Sequence, residues 1–109
     1  MTVPLTPAMF ALLLALVEGE RHGYALMADV ERLGIRLGPG TLYRSLQRMR
    51  VDGLVEEIET GETDIQADRR AERRRSYRIT AAGRNAARDE AGRLAVLVDA
   101  ATERGILPS

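Results

Sequence analysis

The chain has no cysteine and no lysine, a single histidine, and only 4% aromatic residues. Without cysteine it has no disulfide, no zinc–thiolate site and no thiol redox chemistry, which fits a reducing compartment. With one histidine besides, most nucleophile–base pairs and most metal sites are excluded. Charge of one sign is also lacking: 16 basic and 16 acidic side chains cancel, so the sum does not announce a nucleic-acid binder. No long apolar run exists either. Ala8–Val17 is ten residues, too short to span a bilayer. No basic residue precedes it and Arg21 follows it, the wrong layout for a secretory leader. A cytoplasmic protein with no cofactor, no metal and no membrane partner is expected. At 109 residues one modest core is the prior.

What is present is sorted. Between Val55 and Asp68 the charges are all acidic: Glu56, Glu57, Glu59, Glu62, Asp64 and Asp68. Between Arg69 and Arg78 they are Arg69, Arg70, Arg73, Arg74, Arg75 and Arg78 against Glu72 alone. Every basic residue other than His22 is arginine. Biased codon usage is the plainer reading of that choice, yet the planar forks are available to phosphates and guanine edges.

The element pattern is mainly α. Thr6-Pro7 suits a cap and first helical position, and Met9, Phe10, Leu13, Leu16 and Val17 form an apolar face ended by Gly19. A second helix is predicted from about Tyr24 to Leu33, with Gly34 as its stop. The third begins at Pro39 and closes at Gly53. Leu42, Leu46 and Met49 fall on its core side, while Arg44, Gln47, Arg48 and Val51 point away. Leu54, Val55 and Ile58 suggest a strand. Arg75, Tyr77 and Ile79 alternate with Arg74, Ser76 and Arg78 in a second one. Residues 60–68 read as a polar loop, so the strands make a hairpin. Three helices and a hairpin are a winged helix-turn-helix.

A last helix is predicted from a cap at Thr80 to about Arg104, roughly 24 residues or about 36 Å. Its apolar stripe, Ala87, Ala91, Leu94, Val98, Ala101 and Gly105, has the four–three spacing of a helix packed along another helix. The expected organisation is a DNA-binding winged helix over residues 1–79 and a dimerisation helix over 80–109. The small seam residues allow two arrangements: a closed contact, the plainer one, or a cavity for a small apolar effector.

Several pieces in order resemble the PadR family of bacterial transcriptional regulators. They are His22-Gly23-Tyr24, Gly40-Thr41-Leu42-Tyr43 with Leu46, Asp52-Gly53-Leu54-Val55, and Ser76-Tyr77-Arg78-Ile79-Thr80 followed by Ala82-Gly83-Arg84. The resemblance covers residues 5–87 and implies a homodimeric repressor on double-stranded DNA. It implies a third helix in the major groove, a wing on the backbone or minor groove, and a C-terminal helix that forms the dimer with the partner's first helix. Two features depart from that pattern: a longer, more acidic wing loop, and a single C-terminal helix as in the family's short forms.

Candidate DNA contacts follow. Arg44, Gln47 and Arg48 have the chemistry to read bases or hold phosphates. Thr41 and Ser45 are short hydroxyls suited to phosphates, and the resemblance assigns Tyr43 a phosphate as well. A packed or solvated role is the plainer alternative for each. Arg74 and Arg75 are candidate backbone contacts, although Glu57 or Glu59 facing Arg73 or Arg75 across the hairpin would lower the field DNA feels. His22 reads as a polar cap or packing residue, and the methionines as core. An enzyme is not expected: the paired carboxylates lie in the acidic arm with no apolar pocket, and Gly38-Pro39-Gly40 lacks the strand and Gly-Lys-Ser/Thr of a phosphate loop. The rival to DNA binding is a winged helix that docks proteins through its acidic wing. For the DNA reading, the operator expected of a two-fold dimer is an imperfect palindrome.

Overall fold

In a computed structural model, which describes residues 5–59 and 75–108, each helix begins and ends on local chemistry. Helix α1 (Pro7–Val17) starts at Thr6, whose hydroxyl accepts from the Met9 N–H at 3.1 Å. Helix α2 spans Gly23–Arg32 and α3 spans Pro39–Val51, with Pro39 in the first turn. The exit of α3 is closed by Gly53 at φ +78. There the Gly53 N–H donates to the Arg50 carbonyl at 3.1 Å and the Leu54 N–H to the Met49 carbonyl at 2.8 Å. That paired closure needs a left-handed residue, which glycine adopts without a Cβ penalty. Equivalent pairs of bonds end α2 at Gly34 and the last helix at Gly105.

The sheet has three antiparallel strands in the order β1-β3-β2: β1 (Arg21–His22), β2 (Val55–Glu59) and β3 (Arg75–Ile79). Strands β2 and β3 pair from Val55↔Ile79 to Glu59↔Arg75, the expected hairpin. The short β1 is an addition to the expected pattern: Arg21 pairs with Tyr77 and His22 with Ser76. Ser76 is buried although it alternates with Tyr77, because β1 covers it, and its Oγ lies 3.1 Å from His22 Nδ1. The polar loop and Arg74 lie outside the described residues.

The core is one cluster. Leu12, Leu13, Leu16, Leu26, Val30, Leu42, Leu46 and Met49 have no exposed surface, and Val55, Tyr77, Ala86 and Ala87 close it from the sheet and the last helix. Helix α2 is fastened to β1 by Asp29, which accepts two bonds from Arg21, at 2.8 and 2.9 Å, and a third from Arg32. Burial pushes the Asp29 carboxyl up, but the two arginines outweigh it and hold it below the usual carboxylate range.

Helix α4 (Ala81–Glu103, 23 residues) would be about 34 Å long. Thr80 ties its start to the exit of α3. Its hydroxyl accepts from the Gly83 N–H at 3.0 Å and donates to the Gly53 carbonyl at 2.7 Å, while its N–H donates to the Leu54 carbonyl. The apolar stripe of α4 is continuous, but its surroundings change. Gly83, Ala86, Ala87 and Glu90 are buried against the body of the chain, whereas Leu97 and Val98 are 55% and 50% exposed.

Candidate nucleic-acid interface

The spacing of α3 separates two faces. Leu42, Leu46 and Met49 are fully buried; Thr41, Arg44, Gln47 and Arg48 are exposed, and Val51 is 70% exposed. The helix therefore spends its apolar side on the core and presents polar forks and an amide outward, on a cylinder narrow enough for a major groove. Arg44 folds back along its own helix, with Nε 3.4 Å from the Gly40 carbonyl. Arg48 Nε lies 3.2 Å from Asp52 Oδ2. Gln47 Oε1 accepts from Arg50 Nε at 3.3 Å. These are exposed, weak attachments that a ligand can exchange.

Tyr43 and Ser45 are half-buried on the flanks of the same helix. Tyr43 is seated against the start of α2. A Cβ added at Gly23 would stand 2.9 Å from its Cε1, 3.1 Å from its hydroxyl and 3.3 Å from the Tyr77 ring. Gly23 thus lets the two tyrosines approach the α2 backbone, which accounts for glycine between His22 and Tyr24. His22 is a packing residue: besides Ser76 it stacks on Tyr24, with centroids 5.4 Å apart. The Tyr77 phenol is pushed up to about 12, first by burial and then by the charge of Glu57.

On the wing, Arg75 Nε lies 3.0 Å from Glu57 Oε1 and Arg78 Nε 2.7 Å from Glu56 Oε2. Glu57 also reaches α3, with Oε2 3.7 Å from Arg50 Nε. Arg50, on the flank of α3 that faces the wing, is missing from the sequence-based candidates. Its position follows from the hairpin register, which the helical stripe does not reveal. Arg74 falls outside the described residues.

The predicted seam residues of α4 occupy unlike surroundings. Ala87 is buried in the chain's own core, Leu94 and Ala101 are half-buried, and Ala91 and Val98 are exposed. Leu97, not among the predicted seam, stands beside them. Just before, Glu90 is held by Arg93 through bonds of 2.9 and 2.6 Å, which keep its carboxyl below the usual range against the opposing effect of burial. Among the described residues no acidic–histidine cluster has the makings of a metal site, and no helix is long and apolar enough to cross a membrane.

Comparison with known proteins gives this geometry a family. Residues 12–89 match the transcriptional regulator PadR-like family. Among curated relatives, the chain is 44% identical over 69 residues to the transcriptional regulator Rv3488 of Mycobacterium tuberculosis, covering 63% of this chain and 58% of that protein. It is 37% identical over 91 residues to an uncharacterized 37.1 kDa protein in transposon TN4556 of Streptomyces fradiae, covering 83% of this chain and 24% of that protein. The chain therefore spans just over half of one relative and a quarter of the other. The fold is similar to a PadR family transcription regulator from Clostridium difficile, with TM-score 0.75, 18% identity and coverage of 90% of this chain and 97% of that one. A transcriptional regulator from Clostridium thermocellum gives TM-score 0.72 at 20% identity, over 88% and 87% of the two chains. With its winged-helix fold and the match along residues 12–89, the chain belongs to the PadR-like family of transcriptional regulators.

Proposed function

We propose that the chain acts as a homodimeric repressor that occupies an imperfectly palindromic operator and so blocks polymerase, in the cytoplasm where the chromosome lies. The observation that carries this reading is the division of α3 into a buried Leu42–Leu46–Met49 side and an exposed Arg44–Gln47–Arg48 side. In the proposed complex Arg44 and Gln47 meet base edges, since arginine matches guanine N7 and O6 and glutamine matches adenine N6 and N7. Arg48, Thr41, Ser45 and Tyr43 meet phosphates beside them, and Arg74 and Arg75 meet the backbone from the wing. Two copies of α3 enter successive major grooves about 34 Å apart.

The dimer contact is assigned to α4 beyond the chain's own core. Ala91, Leu94, Val98 and Ala101, with Leu97, continue the stripe that Ala87 begins inside the body. Burying a leucine or valine is worth about 1.5–3 kcal/mol, and two-fold symmetry counts each residue twice. The seam is read as closed, the small residues serving close approach. A rise in melting temperature with aromatic or drug-like ligands would replace that reading with a seam enclosing an effector.

Filter binding to duplex DNA at several salt concentrations tests the proposal. A dimer making about six phosphate contacts should show a log–log slope near −5, from about −0.9 per contact. A flat response at low salt would favour the alternative, a winged helix that docks proteins through its acidic strand.

A further inference from the structure

The arginines beside the recognition surface are held by carboxylates of their own chain. Glu57 bridges two elements: Oε1 lies 3.0 Å from Arg75 on β3 and Oε2 lies 3.7 Å from Arg50 on α3. Glu56 sits opposite Arg78 in the hairpin register, and their side chains meet at 2.7 Å. Together these five line a shallow cleft between the end of α3 and the wing. Glu57 is 25% exposed, with two guanidinium groups converging on it, whereas Glu56 is 53% exposed. Arg44 differs: among the described residues its guanidinium meets a backbone carbonyl, not a carboxylate.

We propose that Glu56 and Glu57 act as a built-in brake on sequence-independent DNA binding, by holding Arg50, Arg75 and Arg78 in intramolecular pairs that duplex DNA must displace. The inference rests on the DNA-binding reading above. An arginine gains affinity from a phosphate by replacing the counterions condensed there. An arginine already neutralised must first exchange its carboxylate, and the released carboxylate is then repelled by the same phosphates. Exposed pairs are weak enough for the exchange to occur, so the brake lowers affinity without abolishing it. Phosphate contacts carry no sequence information, so the penalty falls on the part of binding shared by all DNA. The base-reading position assigned to Arg44 stands apart from these pairs, while Gln47 touches them only through its bond from Arg50. The cancelled net charge of the whole chain has the same effect at longer range.

The test is the full chain carrying Glu56→Gln and Glu57→Gln, titrated with a random-sequence 30-base-pair duplex at several salt concentrations beside the unaltered protein. Glutamine keeps the shape and removes the charge, and circular dichroism with a melting curve checks the fold. The double variant should bind tighter at low salt by up to roughly fivefold for each exposed ion pair it releases. Its log–log salt slope should steepen by roughly 2.7, from about −0.9 for each of the three arginines released to a phosphate. If the double variant melts early, Glu56→Gln alone carries the test, since this half-exposed side chain supports no core contact, and its slope should steepen by about one. Unchanged affinity and slope overturn the inference. The two failures separate cleanly. A protein whose DNA affinity depends on salt and on Arg44, but not on these glutamates, overturns the brake alone. Indifference to DNA in both proteins overturns the DNA-binding reading and the brake together.

Discussion

Replacing Gly83 with alanine sets two opposed effects against each other at the start of α4. Helix propensity favours the change by about 1 kcal/mol. The surroundings oppose it. A Cβ there would stand 2.1 Å from the Leu54 carbonyl oxygen, 2.8 Å from Ile79 Cγ1 and 3.1 Å from the Leu54 carbonyl carbon. Ordinary contact distances are about 3.5 Å or more, so the helix must withdraw by at least about 1 Å. The obstacle is backbone that cannot rotate away. Withdrawal strains packing by about 1–3 kcal/mol. It also loosens two bonds worth about 1 kcal/mol each, Thr80 hydroxyl to Gly53 carbonyl and Thr80 N–H to Leu54 carbonyl. The sum is a net loss of about 2–4 kcal/mol. Urea unfolding at fixed protein concentration should show it, and the melting temperature should fall by at least about 8 °C. An alanine variant as stable as the parent, or more so, would refute the close packing of α4 on the α3 exit. It would leave helix propensity as the only effect at that position.

The remaining expectations concern the outer faces and the half-buried carboxylate of Asp29. Arg44→Ala should weaken operator binding by about 1–3 kcal/mol and relax preference at one base position; an equal, smaller loss on every sequence would mark a phosphate contact instead. Leu97→Glu changes a side chain that is 55% exposed in the single chain, so the fold should survive while sedimentation reports a monomer; a persistent dimer would remove α4 from the interface. Asp29→Asn should lower stability at neutral pH by loosening the Arg21 and Arg32 attachments. Because the folded carboxyl lies below its ordinary value, its contribution is present above roughly pH 4 and fades as acid protonates the folded state. The gap between variant and parent in urea unfolding should therefore be widest at neutral pH and shrink progressively as the pH falls below about 4.

Features that depend on a few neighbouring residues were legible in the sequence. Thr6-Pro7, Pro39, Gly53 and Thr80 mark helix ends by local backbone and capping chemistry, and each sits at the end it was expected to mark. The α3 stripe was equally plain, because 3.6-residue periodicity is intrinsic to the helix. What escaped depends on partners far along the chain. Strand β1 is two residues long and exists only because β3 lies beside it. Burial of Ser76 follows from that same pairing. The position of Glu57 between Arg50 and Arg75 needs both the hairpin register and the placement of the wing on α3. The end of the chain's own core along α4, between the covered Ala87 and the open Leu97, leaves no mark in a stripe that continues past it.

The central claim is that the outward side of α3 enters the major groove. Methylation interference on a bound DNA fragment tests it directly, since guanine N7 lies in the major groove and adenine N3 in the minor. The account predicts that guanine N7 methylation blocks binding in two patches about one helical turn apart. Interference confined to adenine N3, or none at either atom, would contradict it.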